Sequence, residues 1–194
     1  MDSKEKILIQ SKKLFAEKGF SETSMRNIAK TVNLTVAALY HHFPNKNALY
    51  LETVQYAFAD KALLFSEAWQ LESSAEKKLE LFVSSLIQVL VSDSEFHRLI
   101  QRELLDGNKE RLKMLAEDVF QGQFNFLVIL MKEIAPEKDA HLSAISVLSL
   151  CMRHLEMQAL CRFLPDWKKE HEEPDVTTNH ITKLLLNGLK GNDL

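Results

Sequence analysis

The sequence has few of the residues that interrupt helices. Glycine and proline together number 9 among 194 residues, less than half of the share of roughly 12% that they have in average proteins. So few of them leave little material for the tight turns of β-hairpins. No alternation of apolar and polar residues is long enough to predict a strand. We therefore predict an all-α protein.

Cysteines and long apolar runs are also scarce. Cys151 and Cys161 are ten residues apart in one predicted helix, about 15 Å at ~1.5 Å per residue, which is too far for a disulfide. The longest strictly apolar run, 126–131, is much shorter than the ~18 residues of a membrane span. No apolar signal segment follows Met1. These features predict a cytoplasmic protein with reduced thiols and no membrane partner.

Helical periodicity runs through most of the chain and divides it into about nine segments. Asp2 and Glu5 have the spacing of a capping box for the first helix, and Gly19 supplies a left-handed residue that ends it. The last two helices are predicted at about 139–164 and 178–190, with an exposed loop at 168–175. We expect a three-helix N-terminal domain at 1–48 and a larger helical bundle at 49–194.

Residues 24–43 have the pattern helix, short turn, helix, which is typical of the DNA-binding helix-turn-helix. At 100° per residue, Leu39 and Phe43 share the inner face of the second of these helices. Its outer face and first turn carry small residues, which allow close approach to base edges and contact with thymine methyl groups. The helix is therefore predicted to enter the major groove.

The predicted DNA contacts fall into two kinds. Arg26, the only arginine in residues 1–50, can form two hydrogen bonds to guanine. Polar side chains beside the helix and the first turn of the next helix can reach phosphates. Taken singly, such exposed residues are most often only solvated surface, and it is their combination that predicts function. The predicted set is Ser24, Arg26, Thr35, Val36, Ala37, Ala38, Tyr40, His41, His42 and Lys46.

These residues lie in motifs that resemble those of the tetracycline-repressor (TetR) family of bacterial transcription regulators. The matching segments are Ile7–Phe20, Thr23–Ala29 and Leu39–Leu49. The family commonly has a basic residue followed by glycine where this chain has Val36 and Ala37. Base readout is therefore expected to depend on Arg26, Tyr40 and methyl contacts. The resemblance implies a homodimer formed by the last two long helices, and a pocket in each body for a small-molecule effector.

The sequence supports a dimer interface independently of the resemblance. The helix at 139–164 is apolar over most of its circumference, so neighbours in its own chain cannot cover it all. One stripe consists of Ile145, Leu148, Met152, Leu155, Ala159 and Phe163. The final helix adds Ile181, Leu184, Leu185 and Leu189.

Candidate effector contacts are polar residues on apolar faces, together with nearby aromatic residues, because buried polar groups need partners. The alternative is a filled core in which Glu103 pairs with Arg102 or Arg162, the glutamines serve packing or the dimer interface, and the aromatic residues are core. The predicted ligand set is Phe65, Trp69, Phe82, Glu103, Phe120, Gln123, Phe124, Met152 and Gln158.

Charge is distributed unevenly along the chain. Residues 1–50 contain eight basic and four acidic residues, a net charge of +4, and the other 144 residues carry a net charge of −7. A positive head and a negative body would orient the molecule on DNA. We found no catalytic constellation, no metal-ligand spacing and no phosphate-binding glycine loop, so no cofactor is expected.

The sequence thus predicts a homodimeric repressor that binds a palindromic operator on double-stranded DNA. A small, largely apolar or aromatic effector would release it. One alternative is a DNA-binding protein whose body is regulated by a protein partner. A second is an enzyme that carries a helix-turn-helix, which would require a cleft with a nucleophile or base of strongly perturbed pKa.

Overall fold

The protein is built from α-helices joined by short turns. The computed structural model describes residues 2–70 and 74–191, and within them the side chains of residues 60, 63, 64 and 66–70 are not described. The described residues form α1 (Ser3–Glu22), α2 (Met25–Thr31), α3 (Val36–His42), α4 (Lys46–Gln70), α5 (Ala75–Ser92), α6 (Ser94–Asp106), α7 (Lys109–Leu115), α8 (Gln121–Ile134), α9 (Ala140–Cys161) and α10 (Pro174–Lys190).

A π-helical turn, Ala116–Phe120, joins α7 to α8 without a break, and a 3₁₀ turn, Lys169–Glu172, precedes α10. Counting α7 and α8 as one continuous rod gives nine rods in the described residues, which contain no strand. The predicted all-α class is confirmed. None of the described helices is both long and apolar enough to cross a lipid bilayer.

Side-chain caps fix the starts of the helices in the N-terminal segment. Ser24 Oγ accepts a hydrogen bond from Asn27 N at 3.1 Å, and Thr35 Oγ1 accepts one from Ala38 N at 3.1 Å. Asn45 Oδ1 accepts one from Ala48 N at 2.9 Å. Each bond satisfies a backbone N–H that has no partner within the helix. Local chemistry therefore sets the starts of α2, α3 and α4 where the sequence predicts them.

The two ends of α1 differ in how well the sequence predicted them. Gly19 has φ +80°, as expected for a residue that breaks the helix, although one more turn follows to Glu22. The capping box predicted for Asp2 and Glu5 is wrong, because the Asp2 side chain makes no cap hydrogen bond. The Glu5 carboxylate instead accepts a hydrogen bond from the Tyr56 hydroxyl at 2.9 Å.

The C-terminal helix begins earlier than predicted. The segment predicted as a loop at 168–175 contains the 3₁₀ turn, and α10 starts at Pro174 rather than near residue 178. Proline suits the first helical position because the N–H that it lacks has no helical partner there. At the other boundary, α9 ends at Cys161 and turns follow, three residues before the predicted end.

The chain folds into two compact units. The first unit is Met1–Lys61 with Asp93–Gln121, and the second unit is Ala62–Ser92 with Gly122–Leu194. This division does not coincide with the expected boundary at 48/49, because α6 packs against α1. Arg102 on α6 donates hydrogen bonds to the carbonyls of Ala16 and Glu17 at 2.9 and 2.8 Å. A local sequence pattern cannot predict hydrogen bonds between residues so far apart in the chain.

Each unit has its own hydrophobic core. In the first unit, fully buried apolar side chains from α1 to α4 surround the helix-turn-helix: Ile7, Phe15, Ile28, Leu39, Phe43, Leu49 and Tyr50. In the second unit, α5 packs against α9 and α10. The core there consists mainly of Leu79, Phe82, Val83, Ile87, Leu127, Leu130, Met131, Ala144, Val147, Cys151 and Ile181. Burial raises the pKa of the Cys151 thiol to about 12, so this cysteine stays protonated.

Candidate nucleic-acid interface

The helix α3 is anchored by one face and exposed on the other. Leu39 and Phe43 are fully buried, as the 100° periodicity predicts. Ala37 and His41 are exposed, and Tyr40 is 49% exposed. A left-handed residue, Asn33 with φ +58°, forms the turn that leads into this helix. The structure therefore presents small side chains flanked by a phenol and an imidazole on a helix whose position is fixed by its core contacts.

The capping residues keep a donor for a further partner. Ser24 and Thr35 use a lone pair to accept the backbone N–H groups of their own helices. A hydroxyl that accepts in this way still has its own proton to donate. Both residues lie at helix N-termini, where the backbone also favours an anion. They can therefore cap a helix and donate to a phosphate oxygen at the same time.

Arg26 is exposed on α2, and in residues 2–70 and 74–191 its guanidinium has no hydrogen bond or ion pair. Val36 and Ala38 are half-buried in the first turn of α3. His41 and His42 have ring centroids 5.9 Å apart. No group of three or more metal-binding side chains occurs in the part of the chain that the structure describes.

Lys46 has a different environment from the one expected. Its ammonium donates hydrogen bonds to the carbonyls of Phe20 and Thr23 at 2.8 and 2.9 Å, and it lies 4.1 Å from the centre of the Phe20 ring. Partial burial and the nearby Arg111 lower its pKa. The side chain thus holds the end of α1 to the start of α4, and only the backbone N–H groups at Lys46 remain directly suited to a phosphate.

Glu103, predicted to orient a ligand, is occupied by an ion pair instead. Its carboxylate accepts from Arg111 Nε, with N–O distances of 3.0 and 3.1 Å. Glu103 is 2% exposed and the Arg111 side chain 7% exposed. Arg111 also pairs with Asp106, and burial together with the Glu103 carboxylate raises the pKa of the Tyr50 phenol. The partner is therefore Arg111, neither of the two arginines that the sequence suggested.

The remaining ligand candidates do not gather around Glu103. Phe120 belongs to the first unit and contacts Phe58 with ring centroids 5.1 Å apart. The others lie in the second unit, where the Phe65 and Phe82 rings are also 5.1 Å apart and Phe124 contacts His141. Most of these aromatic side chains thus have aromatic partners. The side chain of Trp69 lies outside the described residues.

Three polar or flexible candidates in the second unit have distinct surroundings. Gln123 Oε1 is buried without a hydrogen-bond partner among the described residues. Gln158 Nε2 donates to the carbonyl of His171 at 3.2 Å and to Thr177 Oγ1 at 3.4 Å. Met152 is half-buried. Only Gln123 therefore retains the unmet hydrogen-bonding capacity that suggested these residues as ligand contacts.

The last two helices expose a large amount of apolar surface. Along α9 and the turns after it, Ile145 is 41% exposed, Leu160 55% and Phe163 81%. On α10, Leu184 is 52% exposed, whereas Ile181 and Leu185 are buried in the core of the second unit. The apolar residues of these two helices are thus partly buried in the core and partly exposed. Contiguous exposed apolar patches commonly mark interaction sites.

The helix-turn-helix lies in a segment that matches a known protein family. The family profile described as "Bacterial regulatory proteins, tetR family" matches residues 7–53, which contain α1, α2, α3 and the start of α4. Residues 7–53 thus form a DNA-binding domain of the TetR type. The proteins that share this domain are transcription regulators.

Relatives and solved structures agree with the TetR assignment. The HTH-type transcriptional regulator YuxN of Bacillus subtilis (strain 168) is 28% identical over 200 aligned positions, covering 100% of this chain and 67% of YuxN. The biofilm operon icaADBC negative transcriptional regulator IcaR of Staphylococcus aureus (strain Newman) is 42% identical over 55 residues. That match covers 28% of this chain and only 30% of IcaR.

The whole TetR fold is matched by the transcriptional regulator FadR from Bacillus subtilis, whose structure is a complex with stearoyl-CoA. The TM-score is 0.77 at 18% identity, with 95% of this chain and 98% of FadR covered. Similarity at this level of identity shows that the chain has the same overall fold as FadR.

Proposed function

We propose that the protein is a homodimeric repressor of transcription that acts in the cytoplasm. Each protomer inserts α3 into a major groove of a palindromic operator, with the two grooves ~34 Å or a multiple of that distance apart. Residues 1–48 contact DNA, and residues 49–194 form the dimer and bind an effector. Effector binding favours a conformation in which the spacing of the two DNA-binding heads no longer fits the operator.

The observation that carries this proposal is the exposed face of α3, together with an exposed guanidinium on α2, that of Arg26, which has no partner among the described residues. Small residues from Val36 to Ala38 allow close approach to base edges, and Tyr40 and His41 extend from the exposed face. Among the described residues, Arg26 has no partner to lose when it binds a base. This arrangement supports readout by one bidentate arginine contact and by methyl contacts.

Dimerisation through α9 and α10 is supported by their exposed apolar residues. Covering apolar surface stabilises an interface by ~25 cal/mol per Å² before the costs of association are subtracted. Two copies related by a twofold axis can cover the same patch on each other. The exposed members are Leu142, Ile145, Met157, Leu160, Phe163, Leu164, Trp167, Val176 and Leu184.

An apolar effector that binds in the second unit is supported by two facts. Gln123 Oε1 is a buried acceptor without a partner in the described part of the chain, and a ligand donor could satisfy it. The similar FadR structure contains stearoyl-CoA. We therefore propose a fatty acyl-CoA or a related long-chain compound as effector, contacting Phe65, Phe82, Phe124 and Met152 beside Gln123.

A second candidate function is regulation by a protein partner. It is favoured by aromatic packing in the second unit that resembles a filled core, because a filled core has no space for a small-molecule effector. Phe65 packs on Phe82, and Phe82 stacks on Phe126 at 5.8 Å between centroids, as in a filled core. Titration calorimetry with acyl-CoAs of increasing chain length distinguishes the candidates. Saturable binding that weakens operator affinity supports the small effector. If none of the acyl-CoAs binds, regulation by a protein partner is supported.

The proposed DNA-binding role is tested by selecting bound sequences from a random DNA pool with the full-length chain. We expect a palindromic site with half-sites one or more helical turns apart. Arg26→Ala should lose ~1–3 kcal/mol of discrimination at one base step. Lys13→Ala, which removes an exposed charge on α1, is the matched control and should keep the sequence preference. Equal loss of affinity for the selected and for random DNA in Arg26→Ala contradicts base readout by Arg26.

A further inference from the structure

The second unit contains a surface cavity lined by three histidines. It lies between the second half of α9, the 3₁₀ turn and the start of α10, and has a volume of about 500 Å³. The imidazoles of His154 and His180 have centroids 5.8 Å apart, and His171 lines the same space. The other walls are mostly apolar and include Met157 and Trp167. Several titratable rings thus share a partly apolar space.

Hydrogen bonds hold the cavity walls together. Gln158 on α9 donates to the carbonyl of His171 and to Thr177 Oγ1 on α10. His171 Nδ1 accepts from the backbone N–H of Lys168 at 3.3 Å. A nitrogen that accepts carries no proton, so neutral His171 carries its proton on Nε2. These hydrogen bonds therefore hold together the three segments of backbone that carry the rings.

Three acidic groups in or beside the cavity have basic partners. In the part of the chain that the structure describes, Glu170 is the only carboxylate that lines the cavity, and it lies 3.7 Å from Lys168 Nζ. Beside the cavity, Glu172 pairs with Arg162 at 3.1 Å, and Glu156 pairs with Arg153. The remaining titratable group in the lining is Cys161, and α5, which also packs on α9 and α10, contributes nothing to it. The carboxylate in the described lining and the two beside it are thus already shared with basic side chains.

The environment already disfavours a charge on one ring. Burial, His180 and His171 together lower the pKa of His154 from its usual value of 6.5. A second polypeptide that covers the cavity would remove water and strengthen the same effect. Each proton that must be released on association makes that association weaker at lower pH.

We propose that the histidine cavity makes dimerisation of this protein sensitive to acid. The cavity adjoins the exposed apolar residues of α9 and α10, and Met157, Trp167 and Val176 belong to both. Neutral imidazoles permit this face to be covered by the second copy, and protonated imidazoles oppose it. The inference rests on the proposed dimer through α9 and α10. It adds a regulatory input that is independent of the effector.

The difference in histidine pKa between the monomer and the dimer determines how the dissociation constant of the dimer changes with pH. A histidine whose pKa is lower in the dimer than in the monomer leaves association unaffected well above pH 6.5, where both states are neutral. As the pH falls through the monomer value, the monomer takes up protons and the dimer does not. The dimer dissociation constant should then rise, roughly tenfold per pH unit for each proton displaced. Because a dimer has two cavities, at least two protons are involved.

The test is sedimentation equilibrium of the full-length chain from pH 8.0 to pH 5.5 at constant ionic strength. We expect the dissociation constant to be independent of pH above ~7 and to rise about 100-fold per pH unit below 6. His154→Gln combined with His180→Gln should flatten this profile. His141→Gln, an exposed histidine on the same helix α9, is the matched control and should keep it. Circular dichroism at pH 8.0 and pH 5.5 verifies that each variant is folded.

The possible results distinguish the proposed dimer from its proposed sensitivity to acid. A dimer whose dissociation constant is the same at pH 8.0 and pH 5.5 overturns the histidine inference and leaves the proposed dimer intact. A pH profile that persists in the double variant also overturns it, because other groups then carry the effect. A monomer at pH 8.0 at every concentration overturns the proposed dimer and the inference together.

Discussion

Replacing Arg111 with methionine should destabilise the first unit far more than an ordinary surface substitution. Arg111 and Glu103 are both nearly fully buried, and the guanidinium also lies 4.1 Å from the centre of the Phe20 ring. Methionine keeps much of the side-chain volume, so the main loss is electrostatic. The variant leaves the Glu103 carboxylate buried without its cation, which costs about 3–5 kcal/mol.

The size of this loss is measurable as a melting temperature. For a protein of 150–250 residues, 1 kcal/mol shifts the midpoint by about 2–4 °C. The Arg111→Met variant should therefore melt roughly 6–20 °C below the wild-type protein. Thermal melts followed by circular dichroism give the shift. Hydrogen exchange of the amides in α6 and α7, compared with that of the amides in α9 of the second unit, tests whether the loss is confined to the first unit.

Two further variants isolate the electrostatic cause. Lys113→Met removes a cation from the same helix, where Lys113 and Glu117 form an exposed pair at 3.9 Å, and should change stability by less than about 1 kcal/mol. Adding Glu103→Gln to Arg111→Met removes the unpaired charge and keeps an acceptor for Tyr50. It should recover about half of the lost stability or more. Equal melting temperatures for Arg111→Met and Lys113→Met would refute the reasoning.

Three other substitutions test features of the first unit. Lys46→Met should lower stability by ~1–3 kcal/mol through its lost bonds to backbone carbonyls. It should leave the salt dependence of DNA binding unchanged, which fluorescence anisotropy at several salt concentrations measures. Gly19→Ala should lower the free energy of unfolding by about 1–3 kcal/mol, because alanine is strained at the positive φ of this position. An added Cβ would lie 3.6 Å from Arg102 Nη1, an ordinary contact, so no steric clash adds to the loss. Chemical denaturation measures the change. The pKa of Asp93 is lowered because Lys61, the Phe96 N–H and Lys12 outweigh the effect of burial, so wild-type stability should fall as the pH drops below ~3.8. Asp93→Asn should be less stable near pH 6 and lose less below pH 3.8 in melts across that range.

Local features of the fold were predictable because they depend on neighbouring residues. Ser24, Thr35 and Asn45 each cap a helix through an N–H three residues away, and the break at Gly19 needs only the freedom of glycine. The start of α10 at Pro174 was missed although a local signal existed, because proline favours the first helical turn. The acidic composition of the preceding residues obscured it.

The partners of buried charged groups were not predictable from the sequence. Glu103 binds Arg111 across the break at Gly107, so helical spacing on α6 did not reveal the pair. Lys46 binds carbonyls 26 and 23 positions earlier in the chain. Both contacts depend on how separate helices pack against one another. A motif can therefore identify a cation of the right type and still not show whether it is free to bind DNA.

The engagement of basic side chains inside the first unit affects how the regulator would search DNA. Lys4 pairs with Glu52, Lys12 with Asp93 and Glu95, and Lys46 with carbonyls. The first unit contains 14 basic and 13 acidic residues, so its net charge is only +1. Affinity for random DNA comes almost wholly from released counterions. We expect short dwell times on non-operator sequences, and a search made of many brief encounters rather than long slides.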